Sequence, residues 1–523
     1  LGGSRLSMFK ILIALVCVSI LNSIEPARIL AVFPFPSISH QMVFRTLTQE
    51  LVKQGHEIVV ITPDPAFPKN GAPRNLTEID VHDISYNIWQ NNFMKASVGQ
   101  GKDLNTQVDI VMRSLFEILE AQLENKEVKA IISEKNKTFD LLLLEACVPL
   151  AIAFTHIFKA PVILVSSFGV VPGNNEVIGA PTHPILYPST LSRKLNNLTN
   201  WEKIAEIYDY YQMQRSMPEY EIVNNNYLKK KFGPDVPSIK ELYNNVDMLF
   251  LNINPIFHGI QPVPPNVVYT GGMHINPEKE LPTKYLDSSR NGVIYLSFGT
   301  NVDPTLFPAE KVQTLVNVLS KLPFDVLFKW NNDQLPGKTD NIKIFKWLPQ
   351  SDLLGHPKIK LFITQGGLQS TDEAIRAGVP LIGIPMLGDQ WYNVEKYLYF
   401  LVFFIIKLYL FSTDMKKKQI YRQNIIKLRN LLLDQPMTPL ELAIWWIEYV
   451  LRHKGAKHLR SPAANITWTE YLELELVYTV LAVLLSTAAI VTIAVRCIYK
   501  SLISKFVTHK NKQNILIKTQ KKR

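Results

Sequence analysis

Residues 347–393 concentrate the side chains that handle a charged, hydroxylated ligand. Residues 362–364 form a brief apolar strand pattern that breaks at Gly366 and Gly367. Helical spacing follows over 371–377, and 380–385 reads as a second buried strand. Strand, glycine turn, helix, strand is a βαβ unit whose turn aims free backbone N–H groups from a helix N-terminus, and such a turn binds anions, phosphates above all. Trp347 and Gln350 precede this turn, and Asp389 and Gln390 follow the next strand. Both pairs therefore fall at strand ends, where open α/β sheets hold ligands. A flat aromatic suits a base, and an adjacent carboxamide and carboxylate suit sugar hydroxyls. An ordinary buried α/β core with polar loops has the same spacing, so the motif alone leaves both readings open. His40 is a second centre: it lies just past the first strand, in the first turn of a helix, where a general base would face a crevice. A histidine with no chemical role fits that position too.

The elements that position these residues follow in chain order. Residues 28–33 (RILAVF) are a first buried strand. His40 then opens a helix in which Val43, Leu47 and Leu51 share one face, Gly55 ends it, and HEIVVITP is the second strand. No G-x-G-x-x-G follows the first strand, which disfavours a nicotinamide or flavin dehydrogenase. Residues 64–135 read as loops with a helix over 108–123. Further parallel-type strands are FDLLLLEA, APVILVSS, MLFLNIN and NVVYTGG, with Tyr-, Asn- and Pro-rich loops and helices over 169–245. The polar, proline-bearing stretch 276–291 is a linker, after which GVIYLSFGT starts a second domain of the same kind. A helix near 308–321, then DVLFKW and NIKIFKWLP, lead to the central run. Gly337-Lys338-Thr339 mimics the end of a P-loop, but Asn332 stands where that motif needs glycine and no strand leads in.

At 523 residues, 47% apolar and 19% charged, the chain has ample material for buried cores. Its net charge of +11 would favour a nucleic-acid partner if it were spread over the body. It is not: residues 496–523 hold nine Lys/Arg and no acid, residues 1–10 hold Arg5 and Lys10, and 11–495 are formally neutral. No nucleic acid is expected. Met8, Phe9, Lys10 and ILIALVCVSIL read as a secretory leader over 8–27, cleaved between Ser23 and Arg28. Residues 476–495 are an uncharged run of 20, long enough to span a bilayer. Acids before it and the basic tail 496–523 after it predict a type I protein with a lumenal body and a cytosolic tail. With Cys17 in the leader and Cys497 at the membrane edge, only Cys147 remains in the body, so no internal disulfide is expected there. Asn75, Asn136, Asn197 and Asn465 head N-x-T sequons.

The run WLPQ … FITQGGLQSTDEAIRAGVPLIGIPMLGDQWYN, with SISHQ near the start, resembles the membrane-bound UDP-glycosyltransferases (glucosyl- and glucuronosyltransferases, glycosyltransferase family 1), the insect-type members especially. The likeness covers about residues 28–498, except 398–420, which are shorter and more apolar than the family pattern. It implies an α/β GT-B fold: an N-terminal acceptor-binding Rossmann-like domain (28–275), a facing UDP-sugar-binding one (292–470) and one C-terminal transmembrane helix. It further implies inverting transfer of a hexose, glucose favoured, from a UDP-sugar to a hydroxyl of a small lipophilic acceptor. The expected setting is conjugation or detoxification at the endoplasmic reticulum membrane.

On that likeness His40 matches the catalytic base, and Glu145 takes the place of the Asp that supports it, one methylene longer. Trp347 stacks on uracil, Gln350 and Glu373 hold the uridine and its ribose, and Gly366, Gly367 and Ser370 donate to the diphosphate. Ser297 and Thr300 join from the facing turn, and Asp389, Gln390 and Asn393 take the sugar hydroxyls. Gln365 stands where the family often has His, so that side chain cannot become cationic. The UDP-sugar is a co-substrate, no cofactor is implied, and no His/Asp cluster has metal-site spacing. The sequence sets no oligomeric state. A competing expectation is a lumenal binding protein that has lost transfer, motivated by Gln365, Glu145 and the atypical 398–420 segment.

Overall fold

A computed structural model describes residues 25–94, 104–134, 138–275, 284–402 and 415–520. The leader, Asn136, most of the linker and residues 403–414 of the atypical segment lie outside the described residues. Two all-parallel sheets form the body. The first contains β1 (Arg28–Val32), β2 (Glu57–Thr62), β3 (Leu76–Asp80), β4 (Leu141–Glu145), β5 (Val162–Ser166), β6 (Val246–Leu251) and β7 (Val267–Tyr269). Their spatial order is β3-β2-β1-β4-β5-β6-β7. The second contains β8 (Val293–Ser297), β9 (Asp325–Lys329), β10 (Ile342–Phe345), β11 (Ile359–Thr364) and β12 (Leu381–Gly383), in the order β10-β9-β8-β11-β12. The central strands β1, β4, β5, β6, β8 and β11 are buried along nearly their whole length, as parallel strands covered on both faces must be. That is why they read as unbroken Val/Ile/Leu runs. β3 was not anticipated: LTEID alternates buried and exposed positions at a sheet edge and lacks such a run.

The strand order reverses between β1 and β4 in the first sheet and between β8 and β11 in the second. Strand C-termini on either side of such a reversal open a crevice; His40, Glu145, Ser297, Thr300 and Gly366 lie at those ends, while Trp347 follows β10 and Asp389 follows β12.

Helices complete each layer. In the first half the principal ones are α1 (Ile38–Lys53), α2 (Leu104–Gln122) and α3 (Asn200–Phe232). Val43, Leu47 and Leu51 of α1 are fully buried against the sheet, as their spacing predicts. α3 is fixed at its start by a reciprocal Thr199–Glu202 capping box. In the second half α4 (Gln350–Gly355), α5 (Leu368–Ala377) and α6 (Gln390–Tyr399) follow β10, β11 and β12, and α7 (Met415–Leu433) comes next. α8 (Pro439–His453) then leaves the second sheet. Its Ala443, Ile444, Ile447 and Val450 join the apolar cluster of Val43, Leu47 and Leu51 on the first. Glu448 hydrogen-bonds buried His56 at 2.7 Å, and the Asp247 carboxylate accepts from the Ala456 N–H at 2.8 Å. Residues 439–465 thus cover the first half, although the sequence grouped them with the second.

The described part of 466–523 is a separate unit dominated by α9 (Leu474–Gln520). This helix is long and apolar enough to cross a membrane, and it contains the predicted span 476–495. The basic stretch continues as helix to Gln520 rather than starting a new element.

Candidate active site

His40 lies in the first turn of α1, its ring edge-on to Phe35 and Phe168 at centroid separations of 4.4 and 5.4 Å. Its Nδ1 is 2.8 Å from the Ser167 hydroxyl and 3.8 Å from Glu145 Oε1. Glu145 is the last residue of β4, with its side chain fully buried. Its Oε2 accepts from the Phe35 N–H at 3.0 Å and its Oε1 from the Cys147 thiol at 3.4 Å. The carboxylate therefore stands beside the imidazole, but the direct hydrogen bond is made by Ser167. No sequence pattern marks Ser167, the second serine of the doublet at the end of β5. A carboxylate this near Nδ1 favours the proton on that nitrogen, which leaves Nε2 as the basic lone pair. Burial, the neighbouring Glu145 charge and the hydrogen bond to it all push the Cys147 thiol well up, so it remains protonated.

Asp389 approaches from the other half. Burial raises its carboxyl to about 6, while the Asn393 amide and the His40 charge pull the other way. His40 and Asp389 thus lie within electrostatic reach of one another. Asn393 donates to Asp389 at 3.0 Å and to the Gly366 carbonyl at 2.9 Å, tying the start of α6 to the glycine turn. The Gln390 carboxamide oxygen accepts from the Met386 and Leu387 N–H groups at 2.8 and 2.9 Å. Its oxygen holds the loop before α6 in place, a structural duty alongside the expected sugar contact.

Gly366 has φ +90°, and a Cβ there would meet Val394 at 2.8 Å, so both backbone and space require glycine. Gly367 caps α5 with no side-chain partner, leaving the first N–H groups of the helix for a ligand. The Gln350 amide donates to Ser370 at 2.9 Å and to Glu373 at 2.7 Å, joining three of the expected donor residues in one network. Burial raises the Glu373 carboxyl to about 7, and the Gln350 hydrogen bond partly opposes this. Trp347 projects from the joint after β10, 63% exposed, as a stacking platform should. Ser297 is buried at the end of β8, and Thr300 is half-buried in the turn beyond it. Gln365 is 7% exposed and accepts from the Thr364 hydroxyl at 3.0 Å.

Three further residues were not anticipated. Lys329, at the end of β9, donates to the Gly299 carbonyl at 2.7 Å and lies 4.9 Å from the centre of the Trp347 ring. Burial lowers its pKa to about 8, with Asp303 opposing. It puts a cation between the aromatic platform and the β8 turn. Gln369, in the first turn of α5, donates to the Ser167 carbonyl at 2.8 Å. Asn301 donates to the Ser37 hydroxyl at 2.9 Å. Both bonds join the halves across the crevice. Single polar residues of this kind have no sequence pattern, because the partner lies 202 or 264 positions away.

Of the described sequons, Asn75 and Asn465 direct their amide nitrogens into the fold. Asn75 donates to the Val52 and His56 carbonyls, and Asn465 to Lys240 and Asn244. The atom that would carry a glycan is engaged at both, which argues against them as acceptors; Asn197 is exposed.

A cavity of about 390 Å³ opens where the loops after β5 and β6 and helix α3 meet α6. Val170, Val171, Ile253 and Ile260 are among its apolar lining, and Glu206, Asp209 and Lys396 among its charged lining.

A family model described as UDP-glucoronosyl and UDP-glucosyl transferase matches residues 28–513. The ecdysteroid UDP-glucosyltransferase of Spodoptera littoralis nuclear polyhedrosis virus is 34% identical over 511 residues, covering 91% of this chain and 98% of that protein. UDP-glycosyltransferase UGT5 of Dactylopius coccus is 31% identical over 494 residues, covering 90% and 91%. Among solved structures, UDP-glucose: anthocyanidin 3-O-glucosyltransferase in complex with UDP aligns with a TM-score of 0.53 at 16% identity, over 82% of this chain and 100% of the other. CalG4, the calicheamicin glycosyltransferase, gives 0.53 at 15%, over 82% and 99%. At such identities the solved structures establish the fold, two facing Rossmann-like halves of the GT-B type. With the family model matching nearly the whole chain, this protein belongs to the UDP-glucuronosyl and UDP-glucosyl transferase family and is a UDP-glycosyltransferase.

Proposed function

We propose that this enzyme transfers glucose from UDP-glucose, with inversion, to a hydroxyl of a small lipophilic acceptor, and that His40 is the base. The observation that carries this reading is the grouping of His40, Ser167 and Glu145 within electrostatic reach of Asp389. Ser167 and Glu145 hold the proton on Nδ1, so Nε2 takes the acceptor proton as the oxygen attacks the anomeric carbon. Glu145 stabilises the imidazolium that forms. Attack from the His40 side with UDP leaving toward the glycine turn inverts the anomeric centre.

In this reading uracil stacks on Trp347, and the Gln350–Ser370–Glu373 network holds the ribose. The N–H groups at Gly366 and Gly367 take the leaving diphosphate, aided by Ser297 and Thr300. Gln365 cannot carry charge, and Lys329 supplies a cation beside the β8 turn instead. Asp389 and Asn393 orient the sugar. Glucose as the sugar is supported by the names of the viral relatives, which also point to a hydroxylated lipophile as acceptor. The membrane attachment is proposed to be α9, with the body in the secretory lumen and the basic end cytosolic. The test is transfer from UDP-glucose to a panel of phenols and sterols. His40→Ala should abolish turnover while calorimetry still shows UDP binding. Normal turnover by that variant removes the assigned base, and a wild-type enzyme that binds UDP without turnover favours a binding protein.

A further inference from the structure

We propose that the cavity beside α6 binds an amphipathic organic anion and that Lys396 receives its carboxylate. The inference rests on the transferase reading above, since it assigns this anion as the acceptor. The cavity lies between the two halves, a common place for small-molecule sites, and its volume falls within the usual range. Its apolar wall suits a flat hydrocarbon body.

The cavity's charged lining is Glu176, Arg193, Glu206, Asp209 and Lys396. Glu206 is hydrogen-bonded to Ser192 and lies near the Arg193 charge, and Glu176 accepts from Gln214, so those acids already have partners. Lys396 does not. Its ammonium lies over the rings of Tyr392 and Tyr399 at 5.3 and 5.8 Å, and among the described residues no carboxylate pairs with it. Its neighbour His258 is held neutral, its pKa lowered to about 3 by burial and by the Lys396 charge itself. The Tyr392 hydroxyl is occupied by the His258 carbonyl. A half-buried cation among neutral rings is costly, and an anionic ligand relieves that cost.

Helix geometry connects this lysine to the reacting centre. Lys396 follows Asp389 by seven residues, hence on the same face and about 10 Å further along the axis. Asp389 lies within electrostatic reach of His40. An acceptor that runs along α6 with its hydroxyl at the Asp389 end and its oxyanion at Lys396 therefore spans about 10 Å. A rigid two-ring hydroxy acid has those dimensions.

The probes are a hydroxybiphenylcarboxylate with its two groups at opposite ends and the hydroxybiphenyl lacking the carboxylate. Each is titrated into the detergent-solubilised full-length enzyme saturated with UDP, and each is assayed as an acceptor. Wild type should bind the carboxylate about tenfold more tightly than the neutral probe. Lys396→Gln should erase that difference with neutral-probe and UDP affinities unchanged, and Lys396→Arg should keep most of it. Equal binding of the two probes by wild type overturns the proposal, as does equal weakening of both by Lys396→Gln. Lys396-dependent binding without glucosyl transfer to the bound probe upholds the site and instead defeats its assignment as the acceptor position.

Discussion

The two sides of the crevice, which the proposed mechanism assigns to the base and to the donor, are built on different principles. The base side depends on single side chains: one imidazole set between Phe35 and Phe168, one serine hydroxyl and one buried carboxylate. The donor side depends on backbone, namely a glycine turn at φ +90° and the free N-terminus of α5, with side chains networked around it. A change on the base side therefore needs a local answer. The longer Glu145 is anchored by the Phe35 N–H, and Ser167 makes the bond to His40. A change on the donor side can be absorbed: in the proposed mechanism the neutral Gln365 is offset by Lys329 two strands away.

That contrast predicts which steps fail under mutation. His40→Ala should lower kcat by about a thousandfold with little change in UDP affinity, measured by turnover alongside calorimetry. Gly366→Ala should do the reverse. Forced out of its left-handed conformation and against Val394, the turn should lose about tenfold or more in UDP affinity and some thermal stability. Ser167→Ala should reduce kcat about tenfold and displace the pH profile of kcat, while Ser167→Thr restores both. A purely structural serine would move stability and leave the pH profile alone.

The smallest effect is on the pH dependence of donor capture. Asp389 must be ionised to accept sugar hydroxyls, so kcat/KM for UDP-glucose should fall as pH drops through about 6. Lys329 must be protonated, so the same quantity should fall as pH rises through about 8. Asp389→Asn should flatten the acid limb, and Lys329→Met the alkaline limb, at a cost of about fivefold in donor affinity. If either variant leaves its limb in place, that residue is not the titrating group.

Much of this was legible in the chain, and the reasons are physical. β1, β4 and β11 are buried on both faces, so their residues read as apolar runs, and the glycine turn announces itself because no other residue tolerates Gly366. β3 escaped because an edge strand needs only one apolar face. Ser167, Gln369 and Asn301 escaped because a polar side chain becomes significant only through a partner far along the chain. The apolar stripe of α8 was visible as a stripe, but periodicity says which face is buried and not against what.

That last helix has a practical consequence for modularity. Exchanging halves with a relative at the sequence linker would separate Ile444 and Ile447 from Val43 and Leu47, and Glu448 from His56. A working chimera must transplant residues 438–465 along with the amino-terminal partner, leaving the nucleotide-side module as an insert whose two ends are both joined to the other half.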